Sequence, residues 1–162
     1  MSGTKELLQT LLDREAIRDL PLRYCDCVWR NDIEGLVNLF ARKGEFIFRS
    51  GDMEAGAQGH PALKAFYEKG LDIAPRPFIH NHVIELTGAK KASGRCYLDL
   101  RNGKDQMRFM GAGHYDDTYV KEKGEWKFGR RYFTALRIDE NPVGEPAPAK
   151  TSPAPRRKSV AN

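Results

Sequence analysis

The sequence predicts an α+β fold, in which a curved, mainly antiparallel sheet encloses helices around a pocket. Three observations predict it. Helical spacing governs the first 40 residues, strand patterning governs the chain from about residue 78 onward, and no strand–helix–strand alternation suggests a parallel sheet. Glycines inside the strand patterns bend a sheet, and helices packed within a bent sheet leave a concavity suited to a small ligand.

Leu7, Leu8, Leu11, Leu12, Ile17 and Leu20 recur at helical spacing, with Asp13 and nearby acids suited to the start of a helical segment. Pro21 is expected to kink this helix, or to open a second one that runs to about Arg30. Asn31-Asp32 reads as the cap of a short helix with Ile33, Leu36, Val37 and Phe40 on one face. After Gly44, Glu45 to Arg49 reads as a strand, and the glycine-rich polar stretch from Ser50 to Gly59 reads as a loop. His60-Pro61 opens a helix that ends near Gly70, with Leu63, Phe66 and Tyr67 as core candidates. Strands follow at Phe78–Leu86, Ala92–Arg101, Gln106–Val120 and Trp126–Ile138. Asn102-Gly103 is the strongest hairpin signal, and Glu122-Lys123-Gly124 marks another turn. The folded domain is expected over residues 1–140 and a Pro/Ala/basic tail over 141–162.

Composition narrows the function classes. Lys150, Arg156, Arg157 and Lys158 supply four of the five net positive charges, so basicity is a property of the tail and argues against nucleic-acid binding by the fold. Cys25, Cys27 and Cys96 have no disulfide-framework or zinc-site spacing and suit free thiols in a reducing cytoplasm. No signal peptide and no apolar run of about 20 residues appears, so a membrane location is not expected. Neither a phosphate-cradling glycine loop nor a Gly-x-Ser-x-Gly nucleophile motif is present.

The stretch Asp13-Arg-Glu-Ala-Ile-Arg-Asp-Leu20, with Tyr24 and Leu39-Phe-Ala41, resembles the opening of SnoaL-like domains of the NTF2-like superfamily. Ala92-Ser-Gly-Arg-Cys-Tyr-Leu98 resembles their central strand, and Gly113-His-Tyr-Asp-Asp-Thr-Tyr-Val120 with Gly124 and Trp126 resembles their last hairpin. The resemblance implies a cone-shaped domain, a homodimer or homotrimer, and cofactor-independent chemistry on a small hydrophobic molecule. Dehydratases, polyketide cyclases, a dehydrochlorinase, lyases of diaryl compounds and non-catalytic dioxygenase subunits share that fold, which therefore does not specify the activity. The dehydratases use a His–Asp pair. In this chain the aspartate position falls on Trp29 and the histidine position on Pro77, so that pair is absent. Tyr24 matches a helix tyrosine used by several dehydratases, and Tyr115 matches a position that faces the pocket in relatives.

The candidate chemistry centres on Tyr24, His80 and Tyr115. Strand alternation places His80 and His82 on one face and Asn81 on the other, and either face is open to the pocket. An imidazole there is suited to proton transfer near neutral pH; pointing outward, it would instead serve a subunit contact. His114 is the nearest third ligand for a metal, but the set is incomplete and no metal or other cofactor is expected. Trp29, Phe78, Asn81, His82, Phe109 and Arg131 are candidates for substrate contacts, with Met107 and Arg137 as further possibilities. Asp26 lies around the helix from Tyr24, and Asp116, Asp117 and Tyr119 suit structural contacts. These features point to a cofactor-independent lyase that removes water or formaldehyde from a hydroxylated, aromatic or alicyclic substrate. An isomerase or cyclase in the same pocket, and a non-catalytic binding or scaffolding subunit, are the alternatives.

Overall fold

The computed structural model describes residues 2–139; the expected tail at 141–162 lies outside the described residues. The first helix, α1 (Ser2–Arg30), runs unbroken through Pro21. An interior proline removes one helical hydrogen bond and crowds the preceding turn, at a cost of about 3 kcal/mol. The Pro21 ring is fully buried, so packing against the core offsets that cost and no second helix starts there. Ile17, Leu20, Tyr24 and Val28 repeat every three to four residues and form the buried face. Asp32 caps α2 (Ile33–Asn38), its carboxylate accepting the Gly35 amide at 2.9 Å.

Strand β1 (Phe40–Ser50) turns back into β2 (Met53–Gln58). The stretch expected to be a loop is therefore an edge strand. Its side chains are almost all exposed, so it has no apolar alternation, and backbone pairing with β1 holds it in place. Helix α3 (His60–Gly70) starts with Pro61 in its first turn and buries Leu63 and Tyr67. After a short 3-10 turn come β3 (Pro75–Gly88), β4 (Lys91–Asn102), β5 (Arg108–Glu122) and β6 (Glu125–Ile138). The sheet order is β2-β1-β6-β5-β4-β3, antiparallel throughout except for the parallel β1–β6 pair.

The two hairpin signals exchange roles. Lys123 and Gly124 take φ values of 51° and 87° and form the tight two-residue turn between β5 and β6. Asn102 is instead buried, its amide oxygen accepting the Lys104 amide at 2.9 Å, and the chain needs residues 103–107 to enter β5. The bend at Gly113 has a steric origin, because a Cβ there would sit 2.2 Å from the Thr134 carbonyl oxygen. The β5–β6 register slips beside it, between Ala112 and Gly113.

The helices pack on the concave face of this sheet. Phe40, Leu36, Leu63, Cys96, Leu98 and Phe128 are within 1% of full burial and close the floor of the concavity. The other end stays open between α3, β1, β6 and the start of β3, which positions the cavity described next. Among the described residues, no helix is long and apolar enough to cross a membrane.

Candidate functional site

The open end holds a cavity of about 290 Å³. Tyr24 and Val28 of α1, Phe66 and Tyr67 of α3, Phe46 and Phe48 of β1, and Tyr115 and Phe133 of the central strands form much of its wall. Leu71, Ile73, Pro75, Pro77, Leu100, Met110 and Ile138 complete its apolar lining. Among the described residues, no carboxylate, imidazole or cationic side chain is part of the lining, so polarity there comes from three phenols. A wider, shallower groove of about 560 Å³ crosses the outer face of the sheet, where Arg95 pairs with Asp116 at 2.6 Å in solvent. Water competes with any ligand in such a groove, whereas the apolar walls of the cavity take ligand surface out of water, so the cavity is the candidate site.

The phenols form a cluster. Tyr24 and Tyr67 share a hydrogen bond at 3.2 Å, and the Tyr24 ring meets Tyr67 and Tyr115 edge-on at centroid distances of 6.1 and 5.8 Å. Burial pushes the Tyr24 hydroxyl up to about 12, against the pull of Arg131. Burial likewise lifts Tyr67 and Tyr115 well above the ordinary phenol range. All three are therefore protonated donors at neutral pH.

Arg131 lies behind this cluster and is fully buried. Its guanidinium carbon is 3.6 Å from the Tyr115 ring centroid, 4.3 Å from that of Tyr24 and 4.5 Å from that of Phe128. Nη2 lies 3.5 Å from Cys96 Sγ and 3.7 Å from Asp117 Oδ2. Nε and Nη1 find no hydrogen-bond partner among the described residues, and neither does Asp117 Oδ1. Desolvation opposes the charge of Arg131, but Asp117, Cys96 and the two tyrosines hold its pKa above the ordinary arginine value. Burial raises Asp117 to about 6, although Arg131 and the Tyr119 hydroxyl both favour its ionised form. Tyr119 donates to Asp117 at 3.0 Å. Its single proton is thereby committed, so His82, 2.9 Å from the Tyr119 oxygen, donates through Nε2–H. Burial, then Arg131 and Arg18, press His82 down to about 4 and keep it neutral.

Of the residues singled out from sequence, Tyr24 and Tyr115 line the cavity. Arg131 supports them from behind, and His82 ends the buried chain that runs through Tyr119 and Asp117. His80 and His82 do not share a face. A β-bulge sets His80 and Asn81 opposite the single residue Tyr97, so Ile79 and His82 both turn inward while His80 turns outward. His80 is 51% exposed and 3.4 Å from Asp99, and Asn81 is exposed. Neither lines the cavity. Phe78 packs edge-on against Trp29 outside the lining, at a centroid distance of 5.2 Å. Phe109 lies between the guanidinium groups of Arg101 and Arg137, 5.5 and 5.7 Å away, and it too is outside the lining. His114 pairs with Asp116 at 3.2 Å, and Asp26 with Arg30 at 2.8 Å. Among the described residues, no group of three metal-ligating side chains gathers in one place.

Trp29 and Pro77 do meet. The Trp29 indole N–H donates to the Pro77 carbonyl at 2.9 Å, so the two positions that bear a proton-transfer pair in the resembling dehydratases bear a structural contact here. Sequence reasoning missed Tyr67 as a site residue. It recognised Tyr67 as a core position of α3, and the available signal was its hydroxyl, which needs a partner when buried. Phe46, Phe48 and Phe133 were missed as well, although they recur at alternate positions of strands.

The comparisons fit this geometry. The profile of the SnoaL-like domain matches residues 9–132. No curated protein matches the sequence. An NTF2-like protein with a cystatin-like fold from Novosphingobium aromaticivorans superposes with a TM-score of 0.73 at 21% identity, covering 84% of this chain and 90% of that one. A proposed scytalone dehydratase from the same organism gives 0.69 at 24% identity, with 89% and 97% covered. LinA gives 0.71 at 19% identity, with 81% and 90% covered. At these identities the likeness establishes the fold alone. The extent of the profile match together with the open, six-stranded cone makes the chain a member of the SnoaL-like domain family, within the NTF2-like fold.

Proposed function

We propose that the cavity binds a small, uncharged, largely aromatic molecule by its apolar wall and meets an oxygen of that molecule with the tyrosine cluster. On this reading the protein is a cofactor-independent lyase that removes water or formaldehyde. The observation that carries the reading is the single polar end of an otherwise apolar cavity, made of Tyr24, Tyr67 and Tyr115 with Arg131 behind them. In loss of water, a phenol gives its proton to the departing hydroxyl as the C–O bond breaks, and the phenolate takes a proton from the adjacent carbon. In loss of formaldehyde, a phenol gives its proton to the carbon as the C–C bond breaks, and the phenolate so formed takes the hydroxymethyl O–H proton. Both cycles end with the phenol restored, so neither requires the missing His–Asp pair. His80 has no part in this version, because it lies on the outer face of the sheet.

A second reading has its own support. No side chain lining the cavity is a base at neutral pH, which suits a binding or scaffolding subunit that holds its ligand unchanged. An isomerase or cyclase would use the same phenols. The test is a cofactor-free incubation of the purified protein with hydroxylated diaryl, steroid and alicyclic compounds, followed by mass spectrometry. Enzyme-dependent loss of a water or formaldehyde mass, abolished in Tyr24→Phe or Tyr115→Phe, supports the lyase. Ligands that bind without any change of mass or of retention favour the binding subunit, and a product of unchanged mass but altered retention favours isomerisation. Assembly as a homodimer or homotrimer belongs to the same proposal, and light scattering of the eluted protein tests it.

A further inference from the structure

Arg131 is the least expected side chain in the molecule. A guanidinium carries five donors in a rigid fork and is normally left in water or paired to a carboxylate through two short bonds. Here it is fully buried, its one carboxylate partner is 3.7 Å away, and two of its nitrogens have no hydrogen-bond partner among the described residues. Three aromatic rings surround it instead, and two of them, Tyr24 and Tyr115, also line the cavity. A structural role alone does not account for this placement, since an apolar side chain of similar volume would fill the space without burying a charge.

We propose that Arg131 is a positioning residue for the cavity phenols: its guanidinium holds the Tyr24 and Tyr115 rings in place and makes Tyr24 the phenol that hands its proton to a ligand oxygen. The proposal rests on the reading of the cavity as the ligand site, and it adds which phenol acts and what enables it. Tyr24 combines two features. Its ring lies 4.3 Å from the guanidinium carbon, against 3.6 Å for Tyr115, and its hydroxyl is hydrogen-bonded to Tyr67, which is free to donate to it once it is a phenolate. Tyr67 is equally enclosed, but its ring does not stack on Arg131, which makes it an internal reference. The groups that face Tyr24 are few: Cys25 on its own helix, Tyr67 on α3, Tyr115 on β5 and Arg131 on β6, with Cys96 of β4 and Asp117 of β5 against Arg131. Arg131 is the one cation among them. In the transfer, the Tyr24 O–H bond breaks, the ligand oxygen gains the proton, and the electron pair stays on a phenolate faced by Arg131 and by the Tyr67 hydroxyl.

The experiment replaces all six tyrosines with 3-fluorotyrosine and follows each ring by fluorine NMR as pH rises, with single Tyr→Phe variants giving the assignments. In the otherwise unaltered protein, Tyr24 is expected to ionise before Tyr67. In Arg131→Gln the Tyr24 ionisation constant is expected to fall at least about tenfold, the scale for a unit charge a few ångströms away. Arg131→Lys is expected to recover most of it, because it keeps the charge and loses the planar fork. An unchanged constant in Arg131→Gln, or no recovery in Arg131→Lys, overturns the proposal. If Arg131→Gln does not fold, the order of ionisation in the unaltered protein decides, and Tyr24 ionising together with or after Tyr67 overturns it. Ligand-observed NMR on the same samples, with 4-phenylphenol and 1,2-diphenylethanol as probes, keeps the two readings apart. Binding lost in Tyr115→Phe supports the cavity as the site; no binding of either probe overturns the cavity reading, and proton delivery to a ligand with it, whatever the titrations show.

Discussion

Replacing Asp117 by Asn separates two forces that act on the buried pair behind the cavity. Desolvation pushes the carboxyl towards its neutral form, while Arg131 at 3.7 Å and the Tyr119 hydroxyl pull it towards the anion. Full burial leaves desolvation ahead, and Asp117 moves from 3.8 in the unfolded chain to about 6. A folded-state pKa above the unfolded value means that the folded protein binds this proton more tightly. This carboxyl therefore makes stability fall as pH rises between those two values and adds no slope above them. The gap corresponds to about 3 kcal/mol. Asparagine cannot ionise, so the stability of Asp117→Asn relative to the unaltered protein should improve by up to about 3 kcal/mol between about pH 4 and about pH 7. His82, pressed from 6.5 to about 4, has the opposite slope in the same window, because the unfolded chain binds its proton more tightly. It is present in both proteins and cancels in the difference. The assay is urea denaturation of both proteins across that range, with the difference plotted against pH. A penalty for Asp117→Asn that grows with pH would refute the reasoning. It would mean that Arg131 outweighs desolvation and that the carboxyl is depressed.

Further predictions concern the cavity and the sheet. His80→Ala should leave ligand affinity, turnover and stability within about 0.5 kcal/mol of the starting values, since the ring is half exposed on the outer face; a large loss of activity would return His80 to the site. Tyr115→Phe should preserve the fold, because the ring remains packed on Phe133 at 5.2 Å, and yet weaken binding of an oxygen-bearing ligand by about 1 kcal/mol or more, read by calorimetry against the deoxygenated analogue. Gly113→Ala should destabilise by more than about 2 kcal/mol, because the new methyl would meet backbone at 2.2 Å and the sheet must unbend to admit it; thermal unfolding would reveal it. Trp29→Phe should cost about 1 kcal/mol through loss of the bond to Pro77 at 2.9 Å, with no change in activity if that pair is structural only.

The parts of this fold that sequence conveyed were those in which burial writes a period. Ile17, Leu20, Tyr24 and Val28 repeat at helical spacing because one face of α1 is inside, and Leu63 with Tyr67 does the same for α3. Where burial leaves no period, the reading failed. Strand β2 is exposed along nearly its whole length and is held by backbone pairing that no side chain records. The bulge at His80-Asn81 has the same character. Strand alternation assumes one residue against one, and the extra residue opposite Tyr97 reverses the faces of everything before it. A single unpaired residue thus decided which histidine turned inward. Tyr24, Tyr115 and Arg131 were legible as chemistry-bearing residues, but their convergence depends on the β5–β6 register of Asp117 with Arg131 and of Tyr115 with Phe133, which slips between Ala112 and Gly113 and again between Thr118 and Tyr119, and on α1 bringing Tyr24 onto Arg131 from far away in sequence.

The arrangement answers a problem of dielectric. A cavity that holds an aromatic molecule must be dry, and a charge placed in its wall would either shed its proton or draw water inside. Putting the cation one layer back avoids both. Arg131 cannot lose its proton at any physiological pH, and the faces of Tyr24, Tyr115 and Phe128 stand in for part of its hydration. Its field still reaches the phenols, because little but ring carbon lies between, and charges interact more strongly across such a medium than across water. The cost is an incompletely satisfied ion pair whose carboxyl sits near its own titration point and two of whose guanidinium nitrogens have no hydrogen-bond partner among the described residues. A protein selected for stability alone would have replaced that pair with apolar residues of similar volume. Its position directly behind two of the three phenols that line the cavity is the strongest argument in the molecule that those phenols are asked to do more than line a wall.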